Sequence, residues 1–346
     1  MEPLFSPTHA DILLYPSAQL ETPSYLCSMT SSAPPPRGSA YMAGMFGIPQ
    51  APLGAIDFQQ YRAYSLNQPF RFVDAIKTGK IMLGTGLSIP SLPVARIQAT
   101  LGFDFIFLDA EHTPMSPDLI HDIIKTCNYH SEGQSATIVR VPTHGHEWTA
   151  WALDAGASGI VFPHTDNAEM AKKAIYNCRF APRGGRSFPP FATVPGHTDG
   201  APEGKTMLDV YNEHAAIIMQ IESREGVNNA EAICALPEVN GIMIGTADLR
   251  MDLGLAAGMM GPEPEFEDAL QKIQAAANKY NKPILGFAMG EYMCKERLDR
   301  GWRLLMVSSD AVALVAGQTG PLKEIRGIVE GVELAKSQAA VKLNGA

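Results

Sequence analysis

Five short apolar runs in this 346-residue sequence end in side chains able to move protons or hold charge. They close as Leu108-Asp109-Ala110-Glu111-His112, Val139-Arg140, Pro163-His164, Gln220-Ile221-Glu222-Ser223 and Gly245-Thr246-Ala247-Asp248. Singly, each has a bland reading: Asp248 suits a helix N-cap, and a lone loop histidine is most often a surface residue. Together, carboxylates, an arginine and histidines at five run ends describe a site. Glu222 and Asp248 are oxygen donors with no cysteine nearby, a pair that suits Mg²⁺ or Mn²⁺; the alternative is a rim carboxylate paired with Arg140. His112 follows Asp109 by three residues, so the carboxylate could orient the imidazole and stabilise its protonated form, as a general base requires. Arg140 is a fixed positive charge for a carboxylate or a developing oxyanion. No lysine ends an apolar run, which disfavours a Schiff-base aldolase. Two further groups have readings on both sides. His144-x-His146 has metal-ligand spacing but falls where a helix starts, and Arg179, Arg183 and Arg186 around Gly184-Gly185 suit either a phosphate or a loop anchor.

Eight apolar runs must carry these residues: Ile81–Leu87, Phe105–Leu108, Ala136–Val141, Gly159–Phe162, Ala215–Ile221, Gly241–Ile244, Ile284–Phe287 and Leu304–Val307. Helix-like segments alternate with them near 91–101, 117–129, 147–155, 167–178, 226–236, 264–280, 291–300 and 310–334, several followed by glycine (Gly102, Gly156, Gly301) as a helix end prefers. Eight such pairs predict a (β/α)8 TIM barrel, in which chemistry gathers where strands end. A doubly wound sheet is the runner-up. It would carry a glycine-rich phosphate loop after the first strand, and Gly84-Thr85-Gly86 lacks the third glycine of that motif.

Hydrophobic residues at 46% and charged residues at 18% are enough for a substantial core. A net charge of -9 supplies no bulk attraction for nucleic acid or an anionic membrane. The five cysteines are scattered without a C-x-x-C pair, which disfavours a disulfide framework or a structural zinc and fits a reducing, cytoplasmic setting. Residues 1–56 hold nine prolines and four charged side chains. Proline breaks both helix and central strand, so residues 1–67 are expected to form a Pro/Ser-rich flexible extension, 68–335 the catalytic barrel and 336–346 a tail.

Leu108–His112, Ile138–Pro142, Ala152-Leu153-Asp154-Ala155-Gly156-Ala157, Gln220–Ser223 and Ile244–Leu249 resemble the HpcH/HpaI class II pyruvate aldolases in order over residues 70–320. The resemblance implies a barrel of the phosphoenolpyruvate/pyruvate type, its last helix exchanged between subunits of a homo-oligomer, a hexamer or similar. It implies that Glu222 and Asp248 hold Mg²⁺ (or Mn²⁺ or Co²⁺) with Gln220 in support, that Arg140 steadies an enolate oxygen, and that His112 with Asp109 moves protons. Backbone N–H groups of Gly245, Thr246 and Ala247 would receive the substrate carboxylate, and Phe188 and Pro190 would wall the pocket. The implied activity is aldol cleavage or formation of 4-hydroxy-2-oxo acids through a pyruvate enolate, with decarboxylation of oxaloacetate. His130–Gly133, Gly159–His164 and Gly185–Phe188 resemble a biosynthetic branch that joins an oxaloacetate-derived enolate to a pyrone or other acceptor. A barrel that has lost catalysis and serves as a scaffold is the non-enzymatic alternative.

Overall fold

A computed structural model describes residues 72–189 and 206–344. The expected extension over 1–67 and Pro190 lie outside the described residues. Eight parallel strands close in chain order into one barrel: β1 (Met82–Leu87), β2 (Phe105–Asp109), β3 (Ala136–Arg140), β4 (Gly159–Phe162), β5 (Ala216–Ile221), β6 (Gly241–Ile244), β7 (Ile284–Phe287) and β8 (Leu304–Ser309). Each matches one of the apolar runs read from the sequence to within a residue or two. Short α1 (Phe72–Lys77) precedes the barrel, and its Phe72, Val73 and Ile76 pack with interior residues such as Phe105, Ile138 and Leu285.

The wall helices are α2 (Leu92–Ala99), α3 (Pro117–His130), α4 (His146–Asp154), α5 (Ala168–Cys178), α6 (Met207–His214), α7 (Arg224–Asn228), α8 (Ala230–Cys234), α9 (Thr246–Asp252), α10 (Pro264–Lys279), α11 (Gly290–Asp299) and α12 (Asp310–Asn344). Proline at the first or second position opens α2, α3 and α10, where its missing N–H is no loss. Gly102, Gly156 and Gly301 follow their helices with φ of +80°, +97° and +81°, a conformation costly to any residue with a β-carbon. The segment read as one helix over 226–236 is two short ones, broken at Asn229, whose φ/ψ of -101°/4° is not helical.

α12 departs from the barrel. It runs 35 residues, about 52 Å at 1.5 Å per residue, through residue 335 without a break to Asn344. Its anchor is Asp310, whose carboxylate accepts the N–H groups of Ser88 and Ile89 at 2.9 and 2.7 Å. Beyond that point its described side chains are exposed, including Val315, Leu322, Ile325, Val329 and Val332. The wall beside β1 is correspondingly bare: Leu83 is 44% exposed, and Ile97 and Leu101 are each 61% exposed. No helix among the described residues is long and apolar enough to cross a membrane.

Candidate active site

Strand register begins the assembly. β2 and β3 pair Asp109 with Arg140, and Arg140 donates from Nε to Asp109 Oδ1 at 3.0 Å and from Nη2 to Oδ2 at 2.5 Å. Its Nε also lies 3.2 Å from Glu111 Oε2. Arg140 is thus buried yet flanked by two carboxylates.

Two strands further round, Ile221 pairs with Ile244, and the Gly245 N–H donates to the Ile221 carbonyl at 3.2 Å. That contact brings Glu222 against Gly245. A β-carbon at position 245 would lie 2.1 Å from Glu222 Oε2, so only glycine leaves the carboxylate its place. Glu222 is 3% exposed. Its Oε1 accepts the His164 N–H at 2.7 Å, and its Oε2 accepts Gln220 Nε2 at 2.5 Å. Burial pushes its carboxyl above the usual range and the Asp248 charge adds to that, against hydrogen bonds from Gln220 and His164 that pull the other way. Asp248 is half-buried in the first turn of α9.

These residues fit a hard divalent cation. The buried Glu222 carboxylate feels the negative charge of Asp248, which a cation would offset, and the Gln220 Oε1 beside it is buried with no hydrogen-bond partner. Among the described residues no three His, Cys, Asp or Glu side chains cluster as ligands. A cation here would complete its coordination with water and substrate oxygens.

His164 links the two halves of the rim. Its φ of +46° is left-handed, an uncommon state outside glycine, and its N–H faces Glu222. The ring places Nδ1 3.3 Å from Glu222 Oε1 and Nε2 3.7 Å from Glu111 Oε1.

The model of the HpcH/HpaI aldolase/citrate lyase family matches residues 87–315. The chain belongs to that family. It is 30% identical over 248 residues to the 5-keto-4-deoxy-D-glucarate aldolase of Klebsiella pneumoniae, an alignment covering 70% of this chain and 91% of the relative. The hydroxypyruvate/pyruvate aldolase of Roseobacter denitrificans is 29% identical, with 70% of this chain and 92% of the relative covered. Among solved structures, macrophomate synthase superposes with a TM-score of 0.73 at 34% identity, over 77% of this chain and 93% of that one. The chain is accordingly a carbon–carbon lyase of the class II aldolase type.

Set against this HpcH/HpaI barrel, two sequence expectations change and one open alternative is decided. The Asp109–His112 side-chain pair does not form. Asp109 gives its carboxylate to Arg140, its neighbour across the register, and Oδ1 also accepts the N–H groups of Glu111 and His112 at 3.2 and 3.3 Å. Glu111 takes the place beside the imidazole, with Oε2 3.6 Å from His112 Nε2. The second change concerns Phe188, which packs with Phe180, Leu208 and Tyr211 in the connection from α5 to β5. Such connections run at the end of a barrel where strands begin, so within one chain Phe188 lies opposite the rim. The alternative decided is that of the arginine cluster, which is a loop anchor: Arg179 and Arg183 both bind Glu238, and Arg186 binds Asp154 at 2.5 Å. His144 also has a structural task. Its Nε2 lies 2.6 Å from the Pro163 carbonyl, and burial lowers its pKa, which keeps the ring neutral as a donor beneath the His164 turn.

Glu111 and His164 join the site although neither stood among the chosen candidates. Both occur in the strand-end segments, and only their position between Arg140, His112 and Glu222 reveals their use. The buried thiols of Cys127, Cys178 and Cys234 are each pushed up to about 12 and are poor nucleophiles.

Proposed function

We propose that this enzyme cleaves or forms 4-hydroxy-2-oxo acids through a pyruvate enolate, with a divalent cation held by Glu222 and Asp248. The observation that carries the reading is the buried Glu222 carboxylate seated in the Gly245 cradle beside Asp248. A bound Mg²⁺, Mn²⁺ or Co²⁺ would supply Lewis-acid stabilisation of the enolate charge. The remaining work belongs to the chain. The N–H groups of Gly245, Thr246 and Ala247 would receive the 2-oxo acid carboxylate, and Gln220 would steady Glu222. In cleavage, His112 takes the proton of the 4-hydroxyl on Nδ1, the nitrogen turned away from Glu111, and Glu111, beside Nε2, stabilises the imidazolium that results. The C3–C4 bond breaks, its electron pair enters the enolate and the aldehyde leaves. Arg140, fixed by Asp109 and Glu111, faces the negative oxygen that develops. Protonation at C3 then gives pyruvate.

Oxaloacetate would yield the same enolate by losing CO₂. A second reading joins that enolate to a pyrone or other acceptor, and the 34% identity to macrophomate synthase favours keeping it. The deciding experiment follows products from oxaloacetate and from a 4-hydroxy-2-oxo acid, using protein stripped of metal and then given Mg²⁺, Mn²⁺ or Co²⁺. No metal-dependent activity on either would sink the proposal; a new acceptor adduct in place of free pyruvate would favour the second reading.

Two outcomes follow from the assigned roles. Arg140→Met should lower kcat about a hundredfold or more. His112→Ala should slow aldol cleavage by about 10² or more while sparing decarboxylation, which needs no base at the hydroxyl. Equal loss in both reactions would show that the imidazole is not the base. The raised pKa of Glu222 has its own signature. Protons compete with the cation for this carboxylate, so Mn²⁺ affinity measured by calorimetry should decline as pH falls through a midpoint above the ordinary glutamate value of about 4.3. A midpoint at or below that value would contradict the burial argument.

A further inference from the structure

α9 carries Asp248 on only seven residues, too short to hold its own shape. Besides buried Leu249 and the Asp252 carboxylate, which accepts the Arg224 N–H at 2.6 Å, the loop over 253–263 holds it. Arg250, one helical turn beyond Thr246, donates from Nε to the Ala256 carbonyl at 2.9 Å and from Nη1 and Nη2 to Glu263 at 2.6 and 2.8 Å, so it ties both ends of the loop. At the loop's tip the Met259 carbonyl accepts Arg297 Nη2 at 2.6 Å, from the neighbouring α11. The Met259 sulfur accepts the Thr246 hydroxyl at 3.4 Å. Both guanidiniums are buried, and both stack on rings, Arg250 on Phe266 and Arg297 on Trp302. The loop lies so close that a β-carbon at Gly261 would fall 1.8 Å from Arg250 Nη1.

We propose that the 253–263 loop is a strap whose latch residues, Arg250, Arg297, Met259 and Glu263, position Asp248 opposite Glu222 and so set the affinity of the cation site. They are positioning residues, acting through α9. The inference rests on the reading of Glu222 and Asp248 as metal ligands and adds the residues that make the second ligand available. A bidentate arginine latch costs little reorganisation when the cation arrives, because its fork is already aligned.

The test uses the full-length assembled protein and Mn²⁺ alone as probe. Glu263→Ala releases one strap end at a half-exposed position, Gly261→Ala lifts the strap from Arg250, and Glu263→Gln keeps a hydrogen-bonding oxygen at the latch. Arg179→Met is the control, since it breaks a buried latch to Glu238 in the α5 to β5 connection, away from the strap. Calorimetry should find Mn²⁺ bound about tenfold more weakly by Glu263→Ala and Gly261→Ala, as for other residues that orient metal ligands, with Glu263→Gln between them and wild type. The control should lower Tm and leave Mn²⁺ affinity within about twofold of wild type. Unchanged affinity in both strap variants would overturn the strap while leaving the metal site intact. An equal loss in the control would overturn it too, by showing general loosening. Absence of Mn²⁺ binding by the wild type would instead remove the metal-site reading, and the strap's purpose with it.

Discussion

Glu222→Gln is expected to abolish turnover, by roughly 10³-fold or more, since it removes a ligand itself and residues that merely orient ligands are worth about 10- to 100-fold. The exchange is nearly isosteric, and it replaces a charge that folding must desolvate with a neutral amide. Burial already disfavours the ionised form, so the folded protein should hold its Tm or gain slightly while losing the cation. Stability and activity moving in opposite directions is the signature of a group placed for function. Gly245→Ala should reproduce the loss without touching a ligand, because its β-carbon would enter the space of Glu222 Oε2. Metal binding by calorimetry, with activity under saturating Mg²⁺, checks both. Full turnover in Glu222→Gln would remove this carboxylate from the mechanism.

The second large effect concerns α12. Leu322, Ile325, Val329 and Val332 recur at intervals of three and four, the spacing of one helix face, and all are exposed in the single chain. Burial of each such side chain is worth about 1.5–3 kcal/mol. We propose that this face covers a neighbouring copy of the chain at the bare wall around Leu83, Ile97 and Leu101. Contact between copies would also give Phe188, set opposite its own rim, a route to a neighbour's site. The double substitution Ile325→Asp with Val329→Asp should convert a multimer to monomers by light scattering. Activity should fall with the size of the particle. A wild-type monomer, or a double variant of unchanged mass, would defeat the idea.

Much of this was legible in the sequence. The eight strands were readable because each is a short apolar run between turn residues, and the barrel followed from their alternation with helices. Gly102, Gly156 and Gly301 marked helix ends because the left-handed turn there admits little else. α9 showed only as the helix start suggested by Asp248, which is instead its third residue, since a seven-residue helix starting directly after a strand carries too few positions to show a period. α1 and α6 lie outside every segment read as helix-like, α1 just past the proline-rich stretch and α6 just before β5.

At the site, spacing along the chain misled once. Asp109 and His112 are three residues apart, a separation that suggests partnership, but strand register put Arg140 directly beside Asp109. Pairing across a sheet depends on which residues face each other, and one strand alone does not contain that information. Glu111 and His164 were visible as residue types. Their use depends on convergence from three strand ends, with His164 presented by a left-handed backbone that its side chain does not announce.

α12 bears on how the protein is made. Among the described residues its own barrel offers it little surface beyond the Asp310 anchor. A newly finished chain therefore exposes an apolar helix and an uncovered strand wall together. If a second copy supplies the cover, the last step of folding is bimolecular, and its half-time shortens as the concentration of finished chains rises. Scarce synthesis then prolongs the vulnerable state, and overproduction carries the opposite hazard of wrong pairings between the same two surfaces.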